Sequence, residues 1–169
     1  MGKSHHRLFY HAVWTPYLRQ PLISPEIEEI LYPFIGRRAK RDDCTVLAVN
    51  GMEEHIHVVF RLTPAHAVST VIGAMKGSSS YHLNHEVQVT SNFSWQDGYS
   101  VYSVSEKNLP DVIRYVNNQK EHHRLGTVIP KWEYVPEPEC PGQPSADSND
   151  PRAKHASPYT ATLQHPKAS

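Results

Sequence analysis

The stretch Glu54-His55-Ile56-His57-Val58-Val59-Phe60 constrains the fold of this chain more than any other. Successive side chains of a β-strand point to opposite faces. As a strand, it puts His55 and His57 on one face and Ile56, Val58 and Phe60 on the other. One face then demands a hydrophobic layer and the other a polar site. Two imidazoles projecting to one side can ligate a metal ion, and can equally be half-buried polar residues of an ordinary sheet. The rest of the chain has to supply the hydrophobic layer and whatever completes the polar face.

The elements around this strand follow from periodicity and turn chemistry. Residues 7–14, Arg-Leu-Phe-Tyr-His-Ala-Val-Trp, are rich in aromatic and β-branched types and read as a first strand. Ser24-Pro25-Glu26 is a helix start, with Ser24 as N-cap and Pro25 in the first turn. Ile27, Ile30, Leu31, Phe34 and Ile35 recur at helical spacing, which predicts a helix to about Arg41, with Pro33 allowing a kink. Thr45–Val49 reads as a second strand, and Asn50-Gly51 as the turn that returns the chain into the His55 strand. Val68, Val71, Ile72, Met75, His82 and Leu83 form the stripe of a second helix. Trp95–Tyr99 is expected to turn into a strand at about 100–104, and a last helix should run from about Leu109 to Arg124. The order β-α-β-β-α-β-α predicts an α+β fold: a ferredoxin-like, RRM-like antiparallel sheet with an added C-terminal helix.

Composition bounds the function. At 169 residues the chain suits one domain. Lys plus Arg equals Asp plus Glu at 17 each, so a nucleic-acid partner would have to be met by a local patch and not by bulk charge. Cys44 and Cys140 lack the spacing of a zinc site or a disulfide framework. No run of about 18 apolar residues is present, so the expectation is a soluble, cytoplasmic protein with no membrane span. Seven of the fourteen prolines fall in the last 34 residues, almost without large apolar side chains. Such a segment cannot offset its ordering entropy by burial, which predicts a domain at 1–135 and a disordered tail at 136–169.

The last helix offers the polar face a counterpart. Leu109, Val112, Ile113 and Val116 make its apolar stripe, while Tyr115 and Gln119 are i,i+4 neighbours on one flank, continued by His122 and His123. On the helix alone, Tyr115 reads more readily as a ring packed at the core edge with Gln119 solvated.

Taken together, His55-Ile56-His57 and Tyr115-x3-Gln119 resemble the single-tyrosine HUH transposases of small insertion sequences and their REP-associated relatives. Other stretches resemble that family in the family's order: Val13-Trp14-Thr15 with Arg19-Gln20-Pro21-Leu22, Asn50-Gly51-Met52, Lys76-Gly77-x-Ser79-Ser80, Trp95-Gln96-x-Gly98-Tyr99, Ser103-Val104-Ser105, and Asn118-Gln119-x-Glu121-His122-His123. The resemblance covers roughly residues 7–125. It implies a transposase acting on single-stranded DNA, with hairpin-forming element ends as substrate. His55, His57 and Gln119 would hold Mg²⁺ or Mn²⁺, and Tyr115 would attack the scissile phosphate to give a 5′-phosphotyrosine. His122 or His123 would be accessory groups. Such an enzyme would associate with the nucleoid when bound to DNA. Arg37, Arg38, Lys40 and Arg41, with Lys76, are candidate phosphate contacts, and equally an ordinary solvated helix face. Some members are homodimers whose tyrosine helix docks on the partner; here the linker Ser105–Leu109 contains no glycine, which argues against that exchange. Departures are mild: Glu54 stands where the family often has Asp, Ser100 where it often has Gly, and Tyr102 where it often has Phe.

Two other readings compete. One keeps the fold as a hairpin DNA- or RNA-binding module without catalysis. The other is a zinc-type hydrolase using the H-x-H pair, disfavoured by the lack of a further acidic or His ligand nearby in sequence.

Overall fold

The computed structural model describes residues 5–89 and 92–137. The proposed tail, from residue 138 onward, lies outside the described residues. Four strands, β1 (Leu8–Trp14), β2 (Thr45–Met52), β3 (His55–Leu62) and β4 (Ser100–Val104), form one sheet in the order β2-β3-β1-β4. Every neighbouring pair is antiparallel. This is the split βαβ arrangement predicted from the element order.

Strand alternation sorts the sheet into two faces. Ala12, Trp14, Ile56, Val58, Phe60 and Leu62 point to one side, where α1 (Pro25–Ala39) and α2 (Val68–Tyr81) cover them with Leu31, Ile35, Val71, Ile72 and Met75. Ser24 caps α1, its hydroxyl accepting from the Ile27 amide at 3.4 Å. Pro33 sits on the exposed side of α1, and the helix runs through it without interruption. On the other face, α3 (Leu109–Asn117) packs Val112, Tyr115 and Val116 on Ala48 and Val59.

Two local expectations need correction. Asn50-Gly51 is not the hairpin turn: both residues belong to β2, Met52 pairs with His55, and Glu53 and Glu54 make the two-residue connection. Gly51 is needed there for a different reason. A Cβ on it would stand 2.1 Å from the His55 carbonyl oxygen and 2.8 Å from Ile56 Cα, so only glycine lets the two backbones approach. The last helix is also not continuous. It breaks at Asn118 (φ −103°, ψ 21°), and α4 (Gln119–Leu125) starts anew. The Asn118 amide donates to the Arg114 carbonyl at 2.9 Å, and Asn50 from β2 donates to the Asn117 carbonyl at 2.9 Å. Asparagine side chains compete in this way for backbone groups the helix would otherwise use.

The paired stretches Lys76–Ser80 and Trp95–Tyr99 turn out to be knitted together. Lys76 Nζ donates to the Gln96 and Gly98 carbonyls, at 2.7 Å each, and Trp95 Nε1 donates to Ser79 Oγ at 2.9 Å. Two of the three Lys76 donors are therefore used within the chain.

Candidate functional site

The site is built on β3. His55 and His57 are buried and share the face that carries α3, as strand alternation predicts. Each ring is oriented from behind. His55 Nδ1 lies 3.1 Å from Glu54 Oε1, and His57 Nδ1 is hydrogen-bonded to His11 Nε2 at 2.9 Å. Fixing Nδ1 sends each Nε2 forward, and second partners of this kind set the tautomer and aim of a ligating imidazole.

Both Nε2 atoms meet one carboxylate. Glu133 Oε2 stands 3.1 Å from His55 Nε2, 3.2 Å from His57 Nε2 and 3.4 Å from His123 Nε2. The other oxygen, Oε1, accepts a short hydrogen bond from the Tyr115 hydroxyl. That hydroxyl also accepts from the Ile129 amide at 3.0 Å. Glu133 is delivered by α5 (Pro130–Glu133), which is pinned in turn. Tyr102 donates to the Lys131 carbonyl at 2.7 Å, and Trp132 packs edge-on against Tyr115 and His11, with ring centres 4.9 and 5.6 Å apart.

Electrostatics follow from burial and this carboxylate. Burial pulls the His55 pKa down, but Glu133 and Glu54 outweigh it and raise the pKa to about 9. A cation must therefore displace a proton from His55 at neutral pH. Burial dominates at His57, which is held below the usual imidazole range despite Glu133. Burial, reinforced by His57, drives His11 down to about 3, so His11 is neutral. Burial alone would raise Glu133, yet the His55, His57 and Tyr115 hydrogen bonds hold it far below the carboxylate range. Tyr115 is raised, first by burial and then by its bond to Glu133.

Most of the expected site residues converge here. Tyr115 packs against His57, with ring centres 6.1 Å apart, and His122 stacks on Tyr115 at 4.7 Å while bonding Thr127. His123 reaches the carboxylate. Gln119, first residue of α4, is fully buried, and neither atom of its amide has a partner among the described residues. The basic candidates lie elsewhere, at α1 and α2. Arg37, Arg38 and Arg41 line a cavity of about 640 Å³ together with Phe34, Tyr81 and His82. Arg38 is paired there with Asp42 and bonded to Ser78, and Arg37 sits over the Phe34 ring. Lys40 follows α1 in a short 3₁₀ turn, Lys40–Asp42.

Sequence reasoning missed His11 and Glu133. His11 is on the same face as His57 only because β1 pairs with β3 in this register, with Val13 opposite His57. Glu133 comes from 76 residues beyond His57. It did leave a signal: Pro130 is a helix-start residue, and Val128, Ile129, Trp132 and Val135 keep the chain apolar up to the proline-rich segment. No acidic ligand lies near the pair in sequence, but the fold brings one, Glu133, to it. His55, His57 and Glu133 offer ligand atoms all within 4.8 Å of one another. Imidazole nitrogens with a carboxylate oxygen suit a divalent ion, and the orphaned Gln119 amide is a buried polar group in want of a partner. The residues present fit a metal.

Comparison with known proteins identifies the family. A family model described as "Transposase IS200 like" matches residues 4–119. The ISDra2 transposase TnpA of Deinococcus radiodurans is 22% identical over 121 residues, covering 69% of this chain and 86% of the relative. The transposase for insertion sequence element IS200 of Salmonella typhimurium is 24% identical over 125 residues, covering 71% and 82%. Among solved structures, a putative transposase from Deinococcus radiodurans superposes with a TM-score of 0.53 at 24% identity, covering 70% of this chain and 98% of that one. A REP-associated tyrosine transposase bound to a REP hairpin does so with a TM-score of 0.53 at 14% identity, covering 76% of each chain. With its antiparallel α+β sheet and the family model spanning most of the described residues, the chain belongs to the IS200-like transposase family.

Proposed function

We propose that this protein is a transposase that cleaves and rejoins single-stranded DNA through a 5′-phosphotyrosine at Tyr115, with Mg²⁺ or Mn²⁺ held by His55, His57 and Gln119. One observation carries the reading: the Tyr115 hydroxyl and both H-x-H nitrogens converge on a single carboxylate within one chain. A divalent ion bound there polarises the scissile phosphate and offsets charge in the transition state. The protein's own groups do the rest. Tyr115 Oη forms the bond to phosphorus, the P–O3′ bond breaks, and the departing 3′ oxygen takes up a proton to leave a free 3′-OH. The phenol proton is aimed at Glu133 Oε1. The phosphotyrosine conserves the phosphodiester's energy, so attack by another 3′-OH reverses the step at a new junction. Trp132 and His122 cover the Tyr115 ring and restrict its orientation.

The substrate class we assign is a hairpin-forming single strand, as the hairpin-bound neighbour suggests. Arg37, Arg38 and Arg41 would contact its phosphates, with Lys40 and Lys76 at the margins. Tyr115 packs against His57 of its own chain, and the linker Ser105–Leu109 has no glycine, so we assign catalysis in cis. Residues 1–135 would be the working domain and 136–169 a tail. Among the described residues no helix is long and apolar enough to cross a membrane, and a cytoplasmic site of action suits a DNA substrate.

The test uses hairpin oligonucleotides drawn from the DNA flanking the gene, incubated with Mg²⁺ or Mn²⁺. A covalent protein–DNA adduct with the label on the 5′-phosphate is expected, and Tyr115→Phe should form none. A wild-type rate of adduct formation by that variant would refute the nucleophile. Glu133 also gives the zinc-hydrolase reading the acidic ligand it lacked, since two histidines and a glutamate are a known zinc set. Cleavage without any adduct would favour it.

A further inference from the structure

We propose that Glu133 is a bridging residue, one carboxylate oxygen completing the metal shell with His55 and His57 while the other holds the nucleophile Tyr115. The inference rests on the metal-dependent reading above and adds a ligand to it. With metal–ligand bonds of about 2.1 Å, adjacent ligand atoms stand about 3.0–3.4 Å apart in octahedral or tetrahedral shells. Glu133 Oε2 stands 3.1 and 3.2 Å from the two Nε2 atoms, hydrogen-bond distances that also match ligand-to-ligand spacing, and the three ligand atoms all lie within 4.8 Å of one another. Added to His55, His57 and Gln119, the carboxylate would be a fourth ligand, leaving two positions of an octahedral shell for substrate oxygens, and a carboxylate oxygen suits Mg²⁺ or Mn²⁺.

The second half of the bridge uses different atoms. Oε1 faces the Tyr115 hydroxyl, so metal ligation through Oε2 does not compete with it. The carboxylate is not on a free arm: α5 is held by Tyr102, by the Ile129 amide on Tyr115, and by Trp132 against Tyr115 and His11. The bridge therefore sets the distance from nucleophile to metal, the quantity an in-line attack needs held constant. The Ile129 amide also meets the Tyr115 hydroxyl, but it donates to the oxygen without directing its proton.

The experiment measures Mn²⁺ binding to the full chain by the electron paramagnetic resonance of free Mn²⁺, without DNA. Wild type is compared with Glu133→Gln, Glu133→Asp, His55→Ala and Tyr115→Phe, with thermal melts to confirm folding. Glu133→Gln is expected to weaken Mn²⁺ binding by about 10- to 100-fold, the range seen when a group supporting a metal centre is lost. Tyr115→Phe removes a hydrogen-bond partner of the ligating carboxylate and should weaken Mn²⁺ binding, but less than Glu133→Gln does. Glu133→Asp keeps the charge but withdraws the oxygen by a methylene, and should also bind at least tenfold more weakly. Unchanged binding by Glu133→Gln would overturn the ligand assignment. Tighter binding would overturn it too, by showing that the carboxylate obstructs the cation. If His55→Ala bound Mn²⁺ as wild type does, the metal site itself would be misplaced. The positioning half is read from adduct formation at saturating Mn²⁺ and hairpin DNA. A Glu133→Gln rate at least tenfold below wild type supports it, and a wild-type rate overturns it.

Discussion

Replacing Gly51 by alanine should destabilise the domain through the backbone at the edge of the site. The added Cβ would lie 2.1 Å from the His55 oxygen, 3.0 Å from the His55 carbonyl carbon and 2.8 Å from Ile56 Cα. Ordinary contact starts near 3.4 Å, so β2 and β3 must part by about 1 Å, and no rotamer change relieves a clash with backbone. Overpacking of this kind costs about 1–3 kcal/mol, and a weakened ladder bond about 1 kcal/mol more. At about 4 °C per kcal/mol for a domain of this size, the melting temperature should fall by about 8–16 °C. Gly36→Ala is the control. It lies within α1 with nothing within 4 Å of its would-be Cβ, and should gain about 0.5–1 kcal/mol from helix propensity. Thermal unfolding followed by circular dichroism reads both. A Gly51→Ala variant melting within about 3 °C of wild type would refute the close-approach argument.

Two further outcomes follow from the electrostatics. Because His55 must lose a proton to bind a cation and its pKa is raised to about 9, Mn²⁺ affinity should rise about tenfold per pH unit from pH 7 to 9 and level off above that. Titration calorimetry in buffers of different ionisation enthalpy would detect the released proton, and affinity independent of pH would contradict the shift. Hairpin binding should weaken with salt, and Arg37→Ala or Arg41→Ala should each lower the slope of log K against log[salt] by about 1. An unchanged slope would remove these arginines from the interface.

Element types were largely legible along the chain because they depend on local periodicity. The strand alternation of His55–Phe60, the stripe Leu109–Val116 and the Ser24-Pro25 helix start all have their meaning within a few residues. Boundaries failed where a distant group intervened. Asn50-Gly51 has the chemistry of a turn, yet pairing with β3 carries β2 three residues further, to Met52, and spends Gly51 on a close approach instead. Asn118 interrupts the last helix where asparagine amides take its carbonyls, one of them reaching across from β2.

The amino-acid sequence by itself determined the element order and the shared face of His55 and His57, since each depends on the pattern within single elements, whereas Tyr115 and Gln119 fall on either side of the helix break at Asn118. Only the tertiary structure decided what those groups face. His11 lies behind His57 because of a strand register, and Glu133 joins the histidines to Tyr115 because α5 folds back across the sheet from 76 residues away. No local pattern encodes such a meeting. It depends on the packing of Trp132 and on hydrogen bonds to Tyr102 and Ile129, which exist only once the whole domain has closed.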